Sequence, residues 1–119
     1  MTLTLKLTPN FSLNEFVAEG DTPDHSAMDN LINLANRLQV LRDLFGDPIK
    51  ITSGYRSPEH NKKIGGKENS YHLHGMAADI VVEGWNARDV QLLLKDWSGG
   101  LGCYVTFTHV DIRPTKARW

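Results

Sequence analysis

Within Ser70-Tyr-His-Leu-His-Gly-Met-Ala-Ala-Asp79, His72 and Asp79 stand seven residues apart, with a glycine and two alanines among the residues between them. A third possible ligand, His109, follows thirty residues later in Thr108-His-Val-Asp-Ile-Arg113. Two imidazoles and one carboxylate are the ligand set of an open zinc site, in which water takes the fourth position. Water held by zinc ionises near neutral pH and becomes a nucleophile, so the trio points to a hydrolase. The mixed ligands suit zinc best, although manganese, iron and cobalt accept the same set.

These side chains need a scaffold, and 119 residues suffice for one domain, spanning 1–119, with a core that needs no staples. Hydrophobic and charged contents of 40% and 23% are those of an ordinary soluble domain. The net charge of −1 gives no basic face for nucleic acid. The lone Cys103 excludes an internal disulfide and reads as a small packing residue. No apolar run is long enough to span a membrane. The opening Met1-Thr-Leu-Thr-Leu-Lys-Leu7 lacks the basic and apolar regions of a secretory signal, so synthesis in the cytoplasm and a separate delivery route are expected. A monomer is expected.

Ser12-Leu-Asn-Glu15 reads as a capping box that opens a short helix through about Ala18. After a turn at Gly20–Asp24, apolar residues recur at Met28, Leu31, Ile32, Leu34, Ala35, Leu38, Leu41, Leu44 and Phe45. That spacing predicts a long amphipathic scaffold helix from about Ser26 to Phe45, closed by Gly46 and Pro48. Ile49–Ser53 alternates like a strand, and Pro58 to about Ile64 fits a short helix stopped by Gly65-Gly66. Met76–Val82 is a second strand, carrying Asp79, with His72 in the loop before it. Asn86 caps another helix with Val90, Leu93, Leu94 and Trp97 on one face. Leu101–Thr106 and Phe107–Ile112 complete the chain as one bent strand or a hairpin. Early helices and late strands predict an α+β fold, a small antiparallel sheet with helices packed on one side.

Several further motifs occur in one order: Ser53-Gly-Tyr-Arg-Ser57, Asn61, Gly65-Gly66, Ser70-x-His72-x-x-Gly75-x-Ala77-Ala-Asp79-Ile, Gly102-x-Tyr104 and Phe107-x-His109-Val-Asp-Ile-Arg113. Together they resemble the zinc D-alanyl-D-alanine carboxypeptidase family of peptidoglycan peptidases, particularly its small phage and prophage branch. The related fold includes L-alanyl-D-glutamate endopeptidases and the hedgehog signalling domain. The resemblance runs from Phe11 to Arg113 and implies one zinc ion held by His72, Asp79 and His109. It implies that Arg56 lies over the site, where a guanidinium can hold the scissile carbonyl and steady the developing oxyanion. Ser70 is implied as a hydrogen-bond partner for substrate or site. Tyr55 and Asn61 either shape the pocket or pack. His74 reads as an exposed loop residue.

The pattern departs from its relatives at Thr106, where the well-known branches carry an acidic general base three positions before the last histidine. Position 107 is Phe, not the first histidine of a His-x-His pair. Asp111 is the nearest substitute: it could act as base, orient the His109 ring, or pair with Arg113 or Arg56. Glu83 shares the face of Asp79 but lies four residues along the strand. The expected function is zinc-dependent hydrolysis of peptidoglycan stem peptides, by a carboxypeptidase or an endopeptidase. A phage lysin or virion-associated domain, reaching the wall after phage-type release, fits the absent signal. The alternative is a catalytically weak wall-binding or structural module of the same fold.

Overall fold

The computed structural model describes residues 5–119; Met1–Thr4 lie outside the described residues, and with them most of the segment examined for a secretory signal. Lys6–Thr8 (β1) and Phe11–Ser12 (β2) pair as a small antiparallel hairpin. Leu13–Phe16 (α1) is the short helix of the capping box, with the Glu15 carboxylate accepting the Ser12 N–H at 2.7 Å. It ends before Ala18 because Val17 is drawn into a parallel bridge with Tyr55.

His25–Phe45 (α2) starts where Asp24 accepts the Ala27 N–H and stops at Gly46, whose φ of 74° is left-handed. Its buried stripe is Ala27, Leu31, Leu34, Ala35, Leu38, Leu41 and Phe45. Ile32 and Leu44, expected in that stripe, are exposed, because each falls one position outside the core-facing arc. Pro58–Lys63 (α3) is capped by the Ser57 hydroxyl, and Ala87–Leu93 (α4) by the Asn86 side chain. On α4, Val90 and the following Leu94 are buried while Leu93 is exposed. Among the described residues, no helix is long and apolar enough to cross a membrane.

The main sheet combines Ile49–Ser53 (β3), Ala77–Val82 (β4), Gly100–Cys103 (β5), Thr108–Asp111 (β6) and Ala117–Arg118 (β7) in the order β3-β4-β6-β5-β7. All pairings are antiparallel except β5 with β7, which makes one edge parallel. β5 and β6 form a hairpin, shorter than the two strands expected because Tyr104–Phe107 is used as its connection. The sequence gives no periodic signal for β1, β2 or β7, each three residues or fewer.

Strand alternation gives the sheet two different faces. Ile49, Ala78, Ile80, Val82, Leu101 and Val110 join α2 and α4 in the hydrophobic core. Asp79 and His109, direct partners across β4 and β6, lie on the other face, as do Ala77 and its partner Asp111. A register shift in β3 between Ile51 and Ser53 brings Ser53 opposite Asp79, on that same face.

Candidate metal centre

Tyr71–His74 is a 3₁₀ turn, where a loop was expected, begun by the Ser70 hydroxyl accepting the His72 N–H at 3.2 Å. The turn delivers His72 to the site face of the sheet and buries it. Its ring Nδ1 donates to the Gly54 carbonyl at 2.7 Å, which leaves Nε2 facing Asp79 Oδ1 at 3.5 Å. The His72 carbonyl is itself held by the Arg56 N–H at 3.0 Å. One stretch, Gly54–Arg56, therefore fixes both the ring and the backbone of this histidine.

Gly54 is required at that position. A Cβ there would lie 2.5 Å from the Phe16 carbonyl oxygen, on the chain that bonds the Tyr55 N–H.

His109 is held from the opposite side. Its Nδ1 lies 3.0 Å from Asp79 Oδ1, and its Nε2 lies 2.8 Å from Asp111 Oδ2. Asp111 is fully buried, and it also accepts the Gly100 and Arg113 N–H groups and two guanidinium nitrogens of Arg113, Nε at 2.8 Å and Nη2 at 2.7 Å. Room for this carboxylate comes from Gly100: a Cβ there would fall 2.3 Å from it.

Burial opposes the charge on Asp111, but the bonds from His109, Arg113 and Gly100 outweigh it and hold its pKa well below the usual carboxylate range. Burial likewise opposes charge on Asp79, yet hydrogen bonds to His109 and His72 lower its pKa to about 2. For His109, desolvation is outweighed by the bonds to Asp111 and Asp79, and its pKa is raised above the ordinary 6.5.

The donor atoms of His72, Asp79 and His109 all lie within 4.8 Å of one another. A tetrahedral zinc with bonds of about 2.0–2.1 Å needs ligand atoms roughly 3.3 Å apart. The Asp79 oxygen is 3.5 Å from one ring and 3.0 Å from the other, so the donor set fits. Each imidazole turns its second nitrogen to a fixed acceptor, the usual support of a metal-ligating histidine.

The three donors open into a cleft of about 470 Å³, also lined by Arg56, Ser70, Tyr71, Arg113 and Trp119. Arg56 Nη2 lies 3.8 Å from Asp79 Oδ2, while its Nε reaches Ser53 Oγ and its Nη1 reaches Asn61 Oδ1. Asn61 is buried and does not line the cleft; it orients Arg56 and pins the following loop by donating to the Lys67 carbonyl at 2.8 Å. Tyr55 is buried in the core, away from the cleft, and burial with nearby Asp24 and Asp21 raises its phenol pKa. His74 is exposed outside the cleft.

The placement of Asp111 suits the orientation of His109 and gives it no oxygen in the cleft with which to take a proton from water. Of the roles expected for it (base, orienting group for the His109 ring, or partner of an arginine), its contacts fill the last two. Glu83 is exposed beyond the end of β4 and does not line the cleft, and Thr106 is exposed in the β5–β6 connection. Sequence reasoning missed Tyr71 and Trp119. Trp119 packs its ring 5.0 Å from that of His109 and donates to the Tyr104 hydroxyl at 2.9 Å. No local pattern marks it, since its position depends on the pairing of β7 with β5.

Comparison with known proteins shows the family to which the chain is similar. Residues 9–111 match the peptidase M15 family. The chain is 34% identical over 95 residues to the peptidoglycan L,D-endopeptidase MepK of Escherichia coli K12, covering 70% of this chain and 51% of that protein. It is 31% identical over 100 residues to the probable peptidoglycan L,D-endopeptidase MepK of Haemophilus influenzae, covering 77% and 54%. A shorter match, 44% over 45 residues, is to the zinc D-Ala-D-Ala carboxypeptidase of Streptomyces albus G, covering 37% and 18%. The chain thus spans about half the length of the MepK relatives it matches.

Proposed function

This chain belongs to the peptidase M15 family, and from that premise we propose that it is a zinc-dependent peptidase acting on the peptide stems of bacterial peptidoglycan. The observation that carries the proposal is the convergence of His72 Nε2, Asp79 Oδ1 and His109 Nδ1 beside Arg56 in an open cleft. Zinc held by His72, Asp79 and His109 would supply a Lewis acid for the scissile carbonyl and would lower the pKa of a bound water so that it ionises to a nucleophile near neutral pH.

The chain's own residues hold the metal-binding imidazoles, polarise the carbonyl and line the cleft. Gly54 and Asp111 hold the two imidazoles in the tautomers that leave a lone pair for the metal. Arg56, braced by Ser53 and Asn61, offers its guanidinium to the carbonyl oxygen as negative charge builds there. Ser70 caps the turn that presents His72 and stands in the cleft wall as a donor for substrate. The longer similarities are to proteins named endopeptidases, which favours a cut between stem residues over release of a terminal one.

A second reading, a wall-binding module with weak or no activity, draws on one observation. Asp79 is the one carboxylate among the residues lining the cleft, and it is a proposed ligand. Purified protein with zinc, incubated with peptidoglycan and followed by mass spectrometry of soluble products, separates the two. New stem termini that disappear in His72→Ala support the peptidase. Their absence at high enzyme concentration sinks it and leaves the binding module.

A further inference from the structure

If the cleft takes a peptide, as proposed above, the charges on its walls select among peptides. We propose that Arg113 is a specificity residue that receives a free carboxylate of the substrate next to the scissile amide. Peptides bearing that carboxylate are then taken in preference to the same peptides with a carboxamide there.

The cleft is cationic in a chain whose net charge is −1. Arg56, Lys67 and Arg113 line it, against the carboxylate of Asp79 in the cleft and that of Asp111 behind Arg113. The Asp79 carboxylate is engaged by both histidines and faced by Arg56. A concave wall of one sign concentrates ligands of the other.

Arg113 is the cation best placed to make a directed contact. Its guanidinium lies 4.3 Å from the centre of the Tyr71 ring and 5.0 Å from that of Trp119. Nε and Nη2 are spent on Asp111, and Nη1 has no hydrogen-bond partner among the described residues. Two rings and a two-point carboxylate contact have already removed most of the side chain's freedom, so ordering it costs binding little. Asp111 divides its negative charge among His109 and two backbone N–H groups besides the guanidinium, which leaves Arg113 attractive to a second anion.

Arg56 is less suited, because its nitrogens already face Ser53, Asn61 and Asp79. Lys67, exposed on the loop after α3, adds attraction at longer range. A carboxamide can still accept a bond from Nη1 but brings no charge, and a charge-assisted bond is the stronger by roughly a factor of two.

The test uses the full chain loaded with zinc and a synthetic stem pentapeptide with every carboxylate free, together with versions in which one carboxylate at a time is a carboxamide. Discrimination is read as a ratio of kcat/KM and, separately, as a ratio of binding constants measured on Arg56→Met protein, which is expected to turn over slowly. A chain that cuts nothing therefore sinks the peptidase proposal while the binding ratio still decides this one. The expected result is that one carboxamide binds about tenfold more weakly or worse. The ratio falls to near one when Arg113→Met is added, with zinc content unchanged.

Because Arg113 also supports Asp111, a loss of zinc in Arg113→Met moves the comparison to Arg113→Lys. Its ammonium lacks the planar fork that holds Asp111 at two points while leaving a separate nitrogen for a substrate carboxylate, and the ratio falls there as well. Equal handling of acid and amide by the unmodified cleft, or a ratio that survives in a zinc-loaded Arg113 variant, overturns the proposal.

Discussion

Asp111 lies 2.8 Å from Nε2 of His109, on the opposite edge of the ring from the nitrogen that faces Asp79. A carboxylate in that position fixes the tautomer and raises the basicity of the ring toward a metal. Asp111→Asn is therefore expected to weaken zinc binding by about 10–100-fold. Competition with a chelator of known affinity measures the change. Unaltered affinity would remove the positioning role.

Arg56 bears on the reaction and not on the metal. Arg56→Met is expected to lower kcat by about 10²–10³ through loss of oxyanion stabilisation. Zinc content and thermal midpoint should stay close to those of the unmodified protein. Metal analysis alongside steady-state kinetics checks both halves of this statement.

Two of the glycines that admit close contacts at the site should tolerate no side chain. Gly54→Ala places a methyl 2.5 Å from the Phe16 carbonyl, and Gly100→Ala places one 2.3 Å from the Asp111 carboxylate. Each is expected to destabilise the fold by about 1–3 kcal/mol, the range for an overpacked interior. Denaturant titration gives the value, and the chelator competition should show weaker zinc binding in both.

The metal-free protein should lose stability toward both ends of the pH scale. Asp79 has a folded pKa of about 2 against 3.8 in the free state, so its contribution is present above about pH 4 and is lost as pH falls through 2. Asp111, also depressed, acts in the same direction. His109 is raised above 6.5, so its contribution is full below pH 6.5 and is lost as pH rises through the folded value. Zinc binding requires the neutral ring, so saturating zinc should abolish the alkaline loss. Thermal melts from pH 3 to 9, with and without zinc, test the prediction; an alkaline loss equal in both series would contradict it.

Much of this was legible in the sequence where one local pattern carries the information. The spacing of Leu31, Leu34, Ala35, Leu38 and Leu41 specifies α2, and the glycine and alanines between His72 and Asp79 mark a tight approach to β4. The convergence of His72, Asp79 and His109 was legible from order and residue type. What was not legible depends on pairings between distant segments. Asp111 is buried because β6 lies beside the glycines of β5, Ser53 faces Asp79 because of one register shift, and Trp119 reaches His109 only through β7. Two-residue strands and single bulges leave no periodicity to read.

The two faces of the sheet also imply a rule for how this protein can change. Along β4 and β6, odd-numbered positions carry Asp79, His109 and Asp111, while even-numbered ones carry Ala78, Ile80, Val82, Thr108 and Val110. Residue parity on these strands thus separates the polar groups of the site from the apolar core. A mutational survey of the pair should split accordingly, with Ala78, Ile80, Val82 and Val110 lost through low soluble yield and Asp79, His109 and Asp111 lost first through zinc binding and activity.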